Sequence, residues 1–155
     1  MRLNIAILLI IFGSLGTYGQ DAKQVDVFGR ITCDDYLARI QNTFNVAKDN
    51  PIADVYVIVY DGIVIDHVGK GGAKKVIYPT RNSIEAKIHS IKRLMVLWKV
   101  PADNIKILNG GYREEPMVEV WQVPKGLEPP KPSLTKKTMR FRKGKSRGFC
   151  TDCCG

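Results

Sequence analysis

The chain has 155 residues, 45% of them hydrophobic and 25% charged, with 24 Lys and Arg against 15 Asp and Glu, a formal net charge of +9. That length suits one domain around one core. Beyond residue 19 no apolar run approaches the ~20 residues of a membrane-spanning helix, which excludes a transmembrane segment from the mature protein as an expectation. The charge is uneven: residues 20–124 hold 14 Lys and Arg against 13 Asp and Glu, and residues 125–155 hold 9 against 2, which describes a near-neutral body with a basic arm.

Residues 1–19 have the three-part layout of a secretory signal peptide. Arg2 supplies the positive start, Ile5–Phe12 ("IAILLIIF") the apolar stretch, and Thr17 and Gly19 the small residues of a cleavage site. Cleavage near Gly19/Gln20 is expected, with export to the periplasm or the exterior. No cysteine stands at the cleavage region directly after the apolar stretch, which argues against a lipoprotein anchor.

Val25–Ile31 alternates apolar and polar residues and predicts a short strand, weakened by Gly29. Thr32 and Asp35 form a capping box. Tyr36, Leu37, Ile40, Phe44 and Ala47 follow at spacings of three and four, so a helix is expected up to "KDNP" before Pro51. Asp54–Gly62 ("DVYVIVYDG") predicts a strand covered on both faces, because Val55–Tyr60 are all β-branched or aromatic. "IVIDHV" reads as a short edge strand and "GKGGAKK" as a loop. The glycines there lack the G-x-x-x-x-G-K-[ST] spacing of a phosphate-binding loop.

Asn82 and Glu85 form a second box-like start. Ile84, Ile88, Ile91, Met95 and Trp98 make the apolar face of a second helix, with Lys87, Arg93 and Lys99 on the opposite face and Pro101 at its end. "NIKIL" (Asn104–Leu108) and "MVEVWQV" (Met117–Val123) predict two strands, joined by "NGGYREEP", a connection short enough for a hairpin. The order β-α-β-α-β-β implies an α/β (α+β sandwich) domain over 20–124, a mixed sheet with two helices on one face.

"SIEAKIHSIKRLMVLWKVPADNIKILNGGY" resembles the C-terminal domain of OmpA-like proteins, whose helix of the form R-A-x-x-V-x-x-Y-L leads through G-[IV]-x-x-x-[RK]-[IV] into a strand and a glycine turn. "VYVIVYDG" corresponds to the family's strand before a T-D-x-x-G turn, and Val118-Glu119-Val120 to the V-E-[IV] core of its closing strand. The likeness covers roughly residues 25–123 at the level of pattern. It implies peptidoglycan, or another anionic envelope component, as partner. It also implies a ligand-binding pair, Asp61 after the second strand and Lys87 early in the second helix, where the family has Asp and Arg. Lys offers a point charge where Arg offers a planar fork. The family's T-D-x-x-G turn and N-R-R triplet are absent here.

No chemistry-bearing signature accompanies this pattern. Glu114 and Glu115 are adjacent carboxylates that a hairpin would point to opposite sides, and an ion pair between Arg113 and a neighbouring Glu is the simpler expectation. His67 and His89 are each isolated in sequence, and no nucleophile–base motif is present. The expectation is a non-catalytic protein without a cofactor or a metal.

Residues 125–134 are a proline-rich linker, and 135–155 a basic tail in which Met139, Phe141 and Phe149 interleave with seven Lys and Arg. In an exported protein, nucleic acid is a poor partner for such a tail, and an anionic polymer or an acidic protein a better one. A late strand over "TMRFRKG" is a further option. Cys33, Cys150, Cys153 and Cys154 are even in number and sit in an exported chain, which favours disulfides over metal or redox chemistry. Cys33 is expected to join one tail cysteine, with Cys150 and Cys154 both open as partners. So long a loop stabilises by about 4–5 kcal/mol in the chain-entropy account.

Overall fold

Val55–Tyr60 leave no polar face for solvent, and the fold places them at the centre of a sheet. The computed structural model describes residues 21–68, 72–101, 103–146 and 148–149. The expected signal peptide and Cys150, Cys153 and Cys154 lie outside these residues. In chain order the elements are β1 (Lys23–Phe28), α1 (Cys33–Asp49), β2 (Ala53–Asp61), β3 (Val64–Val68), β4 (Ala73–Ile77), α2 (Ser83–Leu97), β5 (Ile105–Tyr112) and β6 (Met117–Pro124). Four strands form a mixed sheet in the order β1-β6-β2-β5, and β3 and β4 form a separate antiparallel hairpin. This is the expected α+β class.

β2 pairs parallel with β5 and antiparallel with β6, and β6 pairs antiparallel with β1. Val57, Ile58, Val59 and Tyr60 are all 0% exposed, so β2 is covered on both faces. Both helices lie on one face. Val55, Val57 and Val59 of β2, Val118 and Val120 of β6 and Ile105 of β5 pack there against Tyr36, Ile40 and Phe44 of α1 and Ile84, Ile88, Ile91 and Met95 of α2. Thr32 caps α1 by accepting a hydrogen bond from the Asp35 amide, as the capping box predicts. At the other end of α1, the Asn104 side-chain amide donates to the Ala47 carbonyl, a group that a helix end leaves open, and to the carbonyl of Ala53 at the start of β2.

Several local expectations need correction. Val64–Val68 and Ala73–Ile77 pair as an antiparallel two-stranded sheet, so residues 73–75 of the expected loop are strand, while residues 69–71 lie outside the described residues. Arg30 ties this hairpin to the domain through an ion pair with Asp66. β5 continues through Asn109, Gly110 and Gly111 to Tyr112, past the predicted end at Leu108. The glycines are tolerated there because a bulge opens the β2–β5 register between Val59 and Tyr60, and because a Cβ on Gly110 would stand 2.5 Å from the Tyr60 ring. β5 and β6 do not form a hairpin: β2 lies between them. Their connection crosses the end of β2 at Gly62, where a Cβ would come within 2.5 Å of the Glu115 backbone. The crossing is pinned by Arg113 N donating to the Asp61 carbonyl and Ile63 N donating to the Glu114 carbonyl.

The chain after Pro124 runs back along the domain. Thr135 N and Lys136 N both donate to the Tyr112 carbonyl at the outer edge of β5, and Arg142 N donates to the Pro79 carbonyl. Residues 138–144 form no strand. Phe149 is 2% exposed and belongs to the main core, stacked on Tyr36 at 5.8 Å between ring centroids and edge-on to Phe28 at 6.4 Å. Among the described residues, no helix is long and apolar enough to cross a membrane.

Candidate functional site

Asp61 ends β2, and Lys87 lies in the second turn of α2. The fold brings them together: Lys87 Nζ is 2.6 Å from Asp61 Oδ1, and both side chains are 4% exposed. The same carboxylate oxygen accepts from Gly62 N at 2.8 Å. Lys87 is therefore not on the solvent face of α2. At three residues past Ile84 and one before Ile88 it falls on the buried stripe, and only the carboxylate waiting there makes the position tolerable for an ammonium. A buried ion pair seldom adds net stability, but removing one partner typically costs about 3–5 kcal/mol because a charge is left alone.

Burial pushes the Lys87 ammonium below its ordinary 10.5, and the charge and hydrogen bond of Asp61 oppose that shift. Tyr112, opposite Asp61 in the β2–β5 register, is held above its ordinary 10.0, first by burial and then by the Asp61 charge. The ring of Phe149 covers the ammonium from the other side, with Lys87 Nζ 4.7 Å from the ring centroid. A desolvated contact of this type is worth about 2 kcal/mol.

Two cavities meet at Lys87. One of about 20 Å³, room for about one water molecule, is lined in part by Asp61, Thr80, Ser83, Lys87 and Arg142. Ser83 Oγ and Arg142 Nε are buried polar atoms without a hydrogen-bond partner, and both residues face this space. The other, of about 190 Å³, is lined by Tyr36, Ala86, Lys87, Ser90 and Phe149, among others. Asn82 precedes α2 as its cap but makes no side-chain cap bond; Glu85, its expected box partner, accepts instead from the Asn109 side chain. Next to this end of α2 lies an open basic groove of about 850 Å³, bounded by Arg81, Phe141, Arg142, Lys143 and Lys145. Thr80 Oγ1 and Ser146 Oγ meet at 2.7 Å on its inner side.

A second polar cluster lies on the sheet face away from the helices. Arg113 Nη2 contacts Glu119 Oε1 at 2.6 Å, so its partner is Glu119 on β6 and not a neighbouring loop carboxylate. Glu119 Oε2 also accepts from Tyr60 Oη and Trp121 Nε1. Tyr60 Oη in turn accepts from Ser133 N of the proline-rich segment. Glu119 is 8% exposed, which the alternation of "MVEVWQV" hides, since its face of the strand reads as the exposed one.

Glu114 and Glu115 do not form a reactive pair. Glu114 is held by Thr135, whose hydroxyl donates to it, and with Lys136 and Arg113 nearby its carboxyl lies below the usual 4.5. Glu115 supplies backbone to the crossing over Gly62. His89 is exposed on α2. Cys33 occupies the first position of α1. Among the described residues no group of three or more His, Cys, Asp or Glu is arranged to hold a metal ion.

Sequence reasoning missed Phe149 as a partner of Lys87. Its only signal was a lone aromatic at the end of a charged segment. Comparison of this chain with family models, with curated proteins and with solved structures finds no match.

Proposed function

We propose that this chain is an exported, non-catalytic domain of OmpA-like architecture that binds a peptide-bearing component of the cell envelope, peptidoglycan in the first instance. The observation that carries the reading is the 2.6 Å contact between Asp61 and Lys87. A carboxylate and an ammonium side by side at the end of the central strand are complementary to the ammonium and carboxylate of an amino-acid end. The cavity of about 190 Å³ beside Lys87 gives such an end a place to enter. The pair satisfies itself while no ligand is bound, and exchange of one ion pair for two is the binding event.

The test is retention of the full mature chain on purified peptidoglycan sacculi. Wild type is expected to be retained. Asp61→Asn and Lys87→Gln are each expected to lose most of that retention while keeping a cooperative thermal transition. No retention of wild type, or equal retention of both folded variants, would sink the reading.

The basic groove supports a second reading, an interaction module for an acidic protein. Arg81 lies 5.8 Å from the Phe141 ring centroid, and Arg142, Lys143 and Lys145 line the same groove. Association with an acidic polypeptide such as polyglutamate is then expected to weaken with salt and in Lys143→Glu/Lys145→Glu. Truncation after Pro124 is no test of it, because that cut also takes Phe149 from the core.

A further inference from the structure

Ser83 is 1% exposed at the first position of α2, and its hydroxyl has no hydrogen-bond partner among the described residues. Arg142 Nε is in the same condition, although the rest of that guanidinium is held: Nη1 donates to the Lys143 carbonyl and Nη2 to the Lys145 carbonyl. Both residues line the cavity of about 20 Å³, which has room for one oxygen-sized atom. A hydroxyl and an N–H left over on one small cavity are costly unless an acceptor fills it.

The surroundings select an anionic acceptor. α2 is 15 residues long, and Asn82 gives its first turn no side-chain cap, so that turn offers amide N–H groups and the positive end of the helix dipole. The groove of about 850 Å³ opens on the residues just before that turn, Thr80, Arg81 and Asn82, and carries Arg142, Lys143 and Lys145. Thr80 and Arg142 line both the cavity and the groove, so the two spaces are neighbours. The Thr80 and Ser146 hydroxyls, 2.7 Å apart, share one hydrogen, and the accepting hydroxyl keeps its own to give. The carboxylates nearby are engaged. Asp61, which also lines the cavity, is held by Lys87 and Gly62 N, and Glu85 accepts from the Asn109 side chain. Donors thus stand in three places: the cavity, the helix start and the groove wall. A planar carboxylate has two oxygens to offer them, whereas a tetrahedral phosphoryl group has one for each.

We propose that the start of α2 is a binding site for a phosphate monoester. One oxygen sits in the cavity between Ser83 and Arg142, and the others lie against the first turn of α2 and the side chains of Arg81, Lys143 and Lys145. Free phosphate and the headgroup of a phosphomonoester lipid share this chemistry. The site goes beyond the acidic-protein reading of the groove, which needs only the exposed charges, and it does not rest on the Asp61–Lys87 reading.

The test is calorimetric titration of the full mature chain with inorganic phosphate, ionic strength being held constant with chloride. Saturable binding is expected, and Ser83→Ala is expected to weaken it about tenfold, the effect of one charge-assisted hydrogen bond. Because that hydroxyl has no partner in the free protein, Ser83→Ala is expected to keep the thermal midpoint measured without phosphate. It loses most of the rise that phosphate gives wild type. Arg142→Lys keeps the charge, loses Nε and is expected to weaken binding by a similar factor. Vesicles of phosphatidylcholine with phosphatidic acid separate the two sources. Wild-type binding to them that Ser83→Ala weakens assigns the lipid headgroup; phosphate binding with no vesicle binding assigns the free anion. Polyglutamate association is expected to be the same in wild type and Ser83→Ala, so the acidic-protein reading stands or falls apart from this one. Phosphate giving no more stabilisation than chloride, or equal phosphate affinity in wild type and folded Ser83→Ala, overturns the site. So does a Ser83→Ala midpoint lowered equally with and without phosphate, which would make the hydroxyl structural.

Discussion

The guanidinium of Arg113 lies 3.8 Å from the centroid of the Tyr60 ring, on the face of the sheet that neither helix covers. Its Nη2 reaches Glu119, and its Nε donates to the Ser133 carbonyl at 3.0 Å. One side chain thus joins the centre of the sheet, the last strand and the proline-rich segment. Lys keeps the charge but cannot stack flat and bond in two directions. Arg113→Lys is expected to lower the unfolding free energy by about 1–3 kcal/mol, through a poorly partnered Glu119. Urea denaturation of both proteins checks this, and equal midpoints would show that the cluster is not structural.

Asp61→Asn removes the two contributions that hold the Lys87 pKa up and leaves desolvation alone. The Lys87 ammonium is expected to titrate still lower than in wild type, seen by NMR of its side-chain signals. Tyr112 loses the Asp61 charge that helps to raise it, so its phenol titrates closer to 10.0 by ultraviolet absorbance. Two groups moving downward together from one substitution report the shared carboxylate.

Stability follows the Lys87 shift with a definite sign. Its folded pKa lies below the unfolded value of 10.5, so between the two the unfolded chain binds more protons and this group's contribution to stability rises with pH. Lys87→Met is expected to remove that rise, measured as the pH slope of the urea midpoint above neutrality. For Glu114 the folded pKa lies below 4.5, so its contribution is present above that value and is lost as pH falls through the folded pKa. Thr135→Val removes the leading cause and is expected to move the Glu114 titration back toward 4.5, as carbon NMR of the carboxyl group would show.

Gly62 is fixed by space rather than by backbone angle. A methyl group there meets the backbone of Glu115, which cannot swing aside as a long side chain would. Gly62→Ala is expected to cost at least about 1–3 kcal/mol, the usual range for overpacking. A thermal midpoint within a degree of wild type would mean that the crossing loop moves freely.

The parts of the fold legible in the sequence were those with a local period. Thr32 as a cap, the Tyr36–Ala47 face (apart from Leu37, which is exposed), the Ile84–Met95 face and the doubly covered Val55–Tyr60 strand all declare themselves within a few residues. The failures are non-local. Whether "MVEVWQV" pairs with its neighbour in sequence or across β2 depends on who occupies the centre of the sheet, which no short window records. Lys87 illustrates the same limit within the site. A lysine on a helix reads as a solvated residue, and only its partner one strand away makes burial tolerable. Glu119 is the matching case on the other face, and Phe149 the extreme one, a core residue supplied by what composition describes as an arm.

β1 pairs with β6 alone, Lys23 against Gln122 at one end and Phe28 against Val118 at the other. The first strand of the domain therefore has to wait for the last. A chain emerging N-terminus first can form both helices early, but its sheet closes only after nearly the whole domain has been delivered, and Phe149 comes later still. Such distant pairing slows folding, because chain must be ordered before contacts reward it. Were the chain exported as proposed above, this delay would be useful, because the sheet cannot close until its last strand has been delivered.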